Sequence, residues 1–207
     1  REPVGVVGAI IPWNVPLLLM AIKVAPALVA GNTVVVKSAE DTPFTVLRVC
    51  QIMQQVLPKG VLNILSGFGP GCGGPLVAHK DVKKVSFTGS VETGRTVYRA
   101  AAEKLIPGTL ELGGKWPMIG MDDADLDKAI AGASGGMRFT RQGQSCTASS
   151  RILVHESLHD EFVSRLLAKV NTLKMGDPLD EETDIGTIIN RKQRDKVCGY
   201  IEIGEEE

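Results

Sequence analysis

Apolar residues along the chain fall into runs of two lengths. Short runs rich in β-branched residues predict strands at 4–11, 33–37, 61–65, 84–88 and 108–112. Longer stretches predict helices at 16–30, 43–57 and 91–105, with a short helix at 71–79. The strand runs are continuous rather than alternating, as expected where both faces of a sheet are covered. Strand–helix alternation with brief Gly/Pro punctuation predicts an α/β fold, a Rossmann-like parallel sheet with helices on both faces.

The rhythm changes after Gly113-Gly114. A helix is expected over 125–137, starting near Asp122 or Asp123, then a small and polar loop at 143–150. A strand at 151–154, an amphipathic helix at 158–174, an acid-rich loop at 177–187 and a helix at 190–204 follow. There is no internal repeat and no low-complexity tract. A boundary near Gly113 divides the chain into 1–113 and 114–207.

Composition narrows the function classes. With 43% hydrophobic and 23% charged residues, the 207-residue chain is globular rather than disordered. Lys and Arg number 23 against 24 Asp and Glu, which leaves no electrostatic footprint for nucleic acid or an anionic membrane. The longest apolar stretch, from Pro16, is broken by Lys23 and is too short to span a bilayer. No signal-peptide pattern stands at residues 1–5. Glycine is over-represented, at 23 residues, against a usual ~7%. The four cysteines (Cys50, Cys72, Cys146 and Cys198) form no CxxC pair and lack metal-ligand spacing, so no metal is expected. Reduced thiols in a cytoplasmic setting are the plain reading, with one of them free to be reactive.

Candidate chemistry is scattered along the chain. Gly69-x-Gly71-x-x-Gly74 satisfies a dinucleotide fingerprint, yet it follows the third strand rather than the first; it is a pyrophosphate turn, a looser lining of a cofactor cleft, or a plain Gly-rich turn. Gly89-Ser90, with Gly94 four residues on, joins a strand to a helix. Ser90 is placed to cap that helix, beside amides suited to an anion; a plain capped helix is the equal alternative. Lys37 and Glu40 lie just past the second strand, where an acid accepts from adenosine-ribose hydroxyls and repels a 2′-phosphate; a solvated Lys–Glu pair is the alternative. Cys146 sits among small polar residues, a better setting for a nucleophile than for a packing thiol. Glu111, between leucines at the end of a strand, suits a general base or is a strand-end acid. Asn14, beyond the first strand, is an oxyanion donor or a turn former.

Five motifs occur in one order: Pro12-Trp13-Asn14-Val15-Pro16, Lys37-Ser38-Ala39-Glu40, Phe87-Thr88-Gly89-Ser90 with Gly94, Leu110-Glu111-Leu112-Gly113-Gly114-Lys115, and Gly143-Gln144-Ser145-Cys146. Together they resemble the NAD(P)-dependent aldehyde dehydrogenase superfamily, across essentially the whole chain. The resemblance implies an NAD-binding domain at 1–113 and the first part of a catalytic domain at 114–207. It implies Cys146 as nucleophile, Glu111 as general base and Asn14 as oxyanion donor. Lys37 and Glu40 match adenosine-ribose contacts, and Gly89 and Ser90 the turn facing the pyrophosphate, overriding the fingerprint at 69–74. Ile11, Pro12, Trp13, Gly69, Gly73, Phe87, Gly94, Leu112 and Gly113 match the cofactor cleft. The implied reaction is oxidation of an aldehyde to a carboxylic acid, with NAD preferred and NADP as the alternative, in a cytoplasmic homodimer or homotetramer. Trp116 departs from the Ser or Asn common after the lysine. Family members are roughly twice this length or more, so the chain is expected to be a central portion, and that portion alone is expected to be inactive. A non-catalytic dinucleotide-binding protein of the same fold and a thiol esterase are the competing readings.

Overall fold

The structure, a computed structural model, describes residues 2–207. It divides into two compact units, one ending at Gly113 and one spanning Gly114–Glu207.

In the first unit, β1 (Val6–Ile10), β2 (Thr33–Lys37), β3 (Leu62–Leu65), β4 (Val82–Gly89) and β5 (Gly108–Leu112) form one parallel sheet in the order β3-β2-β1-β4-β5. The period of two along each strand decides what packs where. Val7, Ala9, Val34 and Val36 meet Leu19, Met20 and Val24 of α1 (Pro16–Val29) and Val46 and Cys50 of α2 (Phe44–Met53). On the opposite face, Val85 and Phe87 meet Leu76 and Val77 of α3 (Gly74–Ala78) and Val97 of α4 (Val91–Glu103). Each such side chain contributes about 1.5–3 kcal/mol when fully buried. Gly8 lies against this face too: a Cβ there would be in ordinary contact with Leu76 Cγ, at 3.4 Å. α1 stops at Gly31, whose φ of +81° suits glycine, and Asn32 Oδ1 then accepts from the Val4 and Gly5 amides at 2.7 and 3.1 Å.

The second unit is smaller in core. β6 (Pro117–Gly120) pairs in parallel with β7 (Arg151–Val154). Ile130 and Ala133 of α5 (Leu126–Gly136) pack on Phe162 of α6 (His159–Val170), with Met118 and Ile152 alongside. α7 (Arg191–Glu206) follows, capped by Asn190, whose Oδ1 accepts from Gln193 N–H at 2.9 Å.

Several boundaries differ from the sequence expectation. α2 ends at Met53 rather than at 57, because residues 54–57 close into tight turns (Gln55 N–H to Ile52 O, Val56 N–H to Met53 O) ahead of Pro58. The helix expected at 71–79 is a π turn, Gly69–Gly73, followed by α3. α5 begins at Leu126 and is capped by Asp125, whose Oδ1 accepts from Lys128 N–H at 3.2 Å. β6 has no counterpart in the pattern; only Met118 and Ile119 are apolar between Pro117 and Gly120, too few to show a period. Among the described residues, no helix is long and apolar enough to cross a membrane.

Candidate active site

All five parallel strands end at the same edge of their sheet, and the candidate residues of the first unit follow from those ends. Ile11, Pro12, Trp13 and Asn14 leave β1; Lys37 ends β2, with Glu40 three residues later; Gly69 and Gly73 lie beyond β3; Gly89 ends β4 and Ser90 follows; Glu111 and Leu112 end β5, with Gly113 next. The chain order reverses between β1 and β4, which are neighbours in the sheet. A crevice beyond the carboxyl ends at such a reversal is where doubly wound folds hold a ligand. The Gly69–Gly74 fingerprint does not lie there, because β3 is at the sheet's edge, two strands from the reversal.

Local bonds fix these ends. Ile11 N–H donates to Lys37 O at 3.0 Å, and the Thr42 hydroxyl donates to Trp13 O at 3.1 Å. The exit from β1 is thereby tied to the loop after β2. Asn14 is half-buried, and its Oδ1 accepts from the adjacent Val15 N–H at 3.1 Å. Gly89 must be glycine, since a Cβ would stand 2.5 Å from Phe87 Cζ. Gly94 lets β5 close on α4, a Cβ there falling 2.7 Å from Leu112 Cδ2. Ser90 caps α4: its Oγ accepts from Thr93 N–H at 3.2 Å.

Lys37 is buried and its Nζ donates to Glu40 Oε2 at 2.7 Å. A pair anchored on a buried lysine is not the solvated couple that surface spacing allows. Burial works to raise the Glu40 pKa, but the Lys37 hydrogen bond, a backbone bond and the Lys37 charge outweigh it and hold the carboxyl below its ordinary value. The carboxylate keeps 42% of its side-chain exposure, enough to meet a hydroxyl-bearing ligand.

Glu111 is not enclosed by its neighbouring leucines. Leu110 and Leu112 pack with the α3–α4 face, whereas Glu111 alternates to the other side of β5 and is exposed. It stands in register with Thr88 of β4. Two positions back, Ser86 Oγ accepts from Lys23 Nζ of α1 at 3.2 Å. Lys23 is only 6% exposed; burial pushes its pKa down, and the Glu111 charge pulls it back up. Pattern reading missed Lys23, although the signal was there: it is the single charge in an otherwise apolar helix. Thr88 Oγ1 is buried and has no hydrogen-bond partner among the described residues. An orphaned hydroxyl at the end of β4, beside the N-terminus of the 13-residue α4, fits a site that receives a polar ligand. These residues fit a dinucleotide.

Cys146 belongs to the second unit and is half-buried. It lies in the turn closed by Ala148 N–H to Ser145 O at 3.3 Å, in the loop between Arg141 and β7. Of the other thiols, Cys50 is buried against Met20 Sδ at 3.6 Å, and burial pushes its pKa up; Cys72 is half-buried and Cys198 exposed. Among the described residues there is no group of three or more His, Cys, Asp or Glu able to hold a metal ion.

Comparison with known proteins follows the same lines. The family model described as "Aldehyde dehydrogenase family" matches residues 1–207. An aldehyde dehydrogenase of Vibrio cholerae is 48% identical over 212 residues, covering 100% of this chain and 42% of that protein. One from Rhodospirillum rubrum is 48% identical over 213 residues, with the same two coverages. Among solved structures, the NAD+ complex of the Bacillus cereus aldehyde dehydrogenase matches 99% of this chain and 42% of its own, at 44% identity and a TM-score of 0.96. Staphylococcus aureus betaine aldehyde dehydrogenase in complex with NAD+ matches 99% and 41%, at 43% identity and a TM-score of 0.95. The chain spans about 42% of the length of the curated relatives it matches.

Proposed function

The chain belongs to the aldehyde dehydrogenase family, and from that premise we propose that the protein carrying it oxidises an aldehyde to a carboxylic acid with NAD, through Cys146 and Glu111. The observation that carries this reading is the gathering of Asn14, Lys37, Glu40, Gly89, Ser90 and Glu111 at the ends of parallel strands around one chain reversal. NAD complexes among the similar structures support the cofactor. In this reading residues 1–113 hold the dinucleotide and residues 114–207 carry the nucleophile. The partner is a small aldehyde, and the whole protein is a homo-oligomer.

The division of labour follows from the side chains. Lys37 and Glu40 hold the adenosine ribose, the carboxylate accepting from its hydroxyls and disfavouring a 2′-phosphate. The α4 N-terminus with Gly89 and Ser90 faces the pyrophosphate. NAD, when bound, supplies a hydride acceptor. The Cys146 thiolate adds to the aldehyde carbon, and the charge that develops on oxygen is met by the Asn14 amide and the Cys146 backbone N–H. Losing one such donor costs about 2.7–4 kcal/mol of transition-state stabilisation. With the hydride gone, the acyl group is left on Cys146 as a thioester. Glu111 takes a proton from water, the hydroxide oxygen bonds to the acyl carbon, and the C–S bond breaks to release the acid. The net reaction consumes one water per aldehyde and releases one proton beside the transferred hydride, with Glu111 and the Cys146 thiolate regenerated.

The test is reduction of NAD by a panel of simple aldehydes, in wild type and in Cys146→Ser. Aldehyde-dependent reduction that disappears in Cys146→Ser, with NAD still bound, is expected. Turnover of esters without nucleotide would turn the reading toward a thiol esterase, and NAD binding with no turnover toward a non-catalytic protein.

A further inference from the structure

The nucleophile loop is built on unfavourable backbone. Arg138 and Gln142 take left-handed φ angles of +58° and +55° without being glycine, and Gly143 follows at +68°. Two such non-glycine residues within eight positions of Cys146 persist only when their surroundings dictate them. Apolar packing does not do so: Gly143 has nothing within 4 Å of where a Cβ would stand, and no residue from 138 to 147 is buried. Polar straps do. Gln144 Oε1 accepts from Ile189 N–H at 3.0 Å, 45 residues downstream, while Gln144 Nε2 donates to Arg141 O at 3.3 Å. Gln144 Nε2 also donates to Gln142 Oε1 at 2.7 Å, which ties the two carboxamides together. Gly186 leaves little slack, a Cβ there falling 3.2 Å from Pro178 Cβ.

The strapping segment is itself braced. Met175 and Ile185 form a parallel bridge, and the Asp184 and Ile185 amides both donate to Lys174 O at 2.9 Å. Asp184 Oδ2 accepts in return from Lys174 N–H at 3.0 Å. Beyond Ile189, Asn190 caps α7. The acid-rich loop of the sequence is thus a fixed strut rather than a slack connection.

We propose that Gln144 is a positioning residue: its bond to the Ile189 amide holds the turn that presents Cys146, while its Nε2 ties that turn to Arg141 and Gln142. The proposal rests on the reading of Cys146 as nucleophile. Gln144 touches no reacting atom, so its loss spoils the direction of thiol attack and leaves the thiol itself in place.

The experiment uses the whole protein, with Gln144→Met, Gln144→Glu and Cys146→Ser. Gln144→Met keeps the bulk and loses the acceptor; Gln144→Glu keeps the acceptor for Ile189. In Gln144→Met, the pre-steady-state burst of reduced nicotinamide is expected to slow roughly ten- to a hundredfold, the range that follows from small misplacement of a reacting group. Alkylation of Cys146 by iodoacetamide, mapped by mass spectrometry, stays within about twofold, and Gln144→Glu recovers most of the burst. In the wild type, hydrogen exchange at the Ile189 amide is expected to be protected. An unprotected Ile189 amide, a wild-type burst in Gln144→Met, or no recovery in Gln144→Glu would each overturn the proposal. So would alkylation that slows in step with the burst. A Cys146→Ser protein that still turns over would instead remove the nucleophile reading, which separates the two failures.

Discussion

The two units hold their candidate residues by different means. In the first, side chains such as Val34, Val36 and Val46 are fully buried, and the site residues hang from the ends of strands that this core aligns. In the second, the buried cluster comes down to Ile130, Ala133 and Phe162, and Cys146 sits on the loop between their helices, held by turns and carboxamide bonds. A strand tip inherits its position from hydrophobic packing; a strapped loop has to be fixed bond by bond. The first kind of site tolerates surface change and fails when its core fails, whereas the second is sensitive to single polar substitutions.

Substitutions can break that contrast, and the largest effect is chemical. Cys146→Ser is expected to lower turnover by more than about a thousandfold while NAD binding, read by calorimetry, is kept. Packing comes next. Leu62→Ala, a fully buried side chain of β3, is expected to destabilise the first unit by about 2–5 kcal/mol in denaturant unfolding. Leu153→Ala, on the exposed side of β7, should fall within about 0.5 kcal/mol. Equal losses from both would erase the contrast. Gly89→Ala meets the Phe87 ring and should cost about 1–3 kcal/mol. Asp125→Ala removes the α5 cap and should lower the unfolding midpoint of the second unit by less than these packing changes do in the first, without effect on Cys146 alkylation.

The smallest expected effect on stability concerns Glu40. Its folded pKa lies below the ordinary carboxylate value, so over that interval the unfolded chain binds more protons than the folded one. Stability from the Lys37–Glu40 bond is then present above the ordinary value and is lost as pH falls through the lowered one. The stability gap between wild type and Glu40→Gln should narrow in acid; a gap that widens would reverse the sign. Glu40→Ala should also raise the ratio of NADP to NAD use by roughly tenfold or more, through relief of like-charge repulsion.

Much of the first unit is legible in the chain because buried parallel strands leave uninterrupted β-branched runs. The expected strands at 33–37 and 108–112 coincide with Thr33–Lys37 and Gly108–Leu112. β6 escaped because four residues, one of them proline, carry no period. Spacing placed Lys37 and Glu40 together, but not the burial of Lys37, which depends on strands far away in sequence. Glu111 between two leucines reads as enclosed, yet strand alternation sends those leucines to the opposite face. Lys23 was visible only as an interruption of an apolar helix; its bond to Ser86, 63 residues on, comes from tertiary packing. The Gln144 strap on Ile189 likewise joins distant segments, and a glutamine in a polar loop gives no hint of its partner.

Trapping the acyl group tests the central claim most directly. The whole protein with Glu111→Gln is mixed with NAD and an aldehyde, quenched in acid and digested for mass spectrometry. An acyl mass on the peptide carrying Cys146, formed with about one reduced nicotinamide per site, is the expected result. Unimpaired turnover with no adduct on Cys146, or an adduct on Cys50, Cys72 or Cys198 instead, would contradict it.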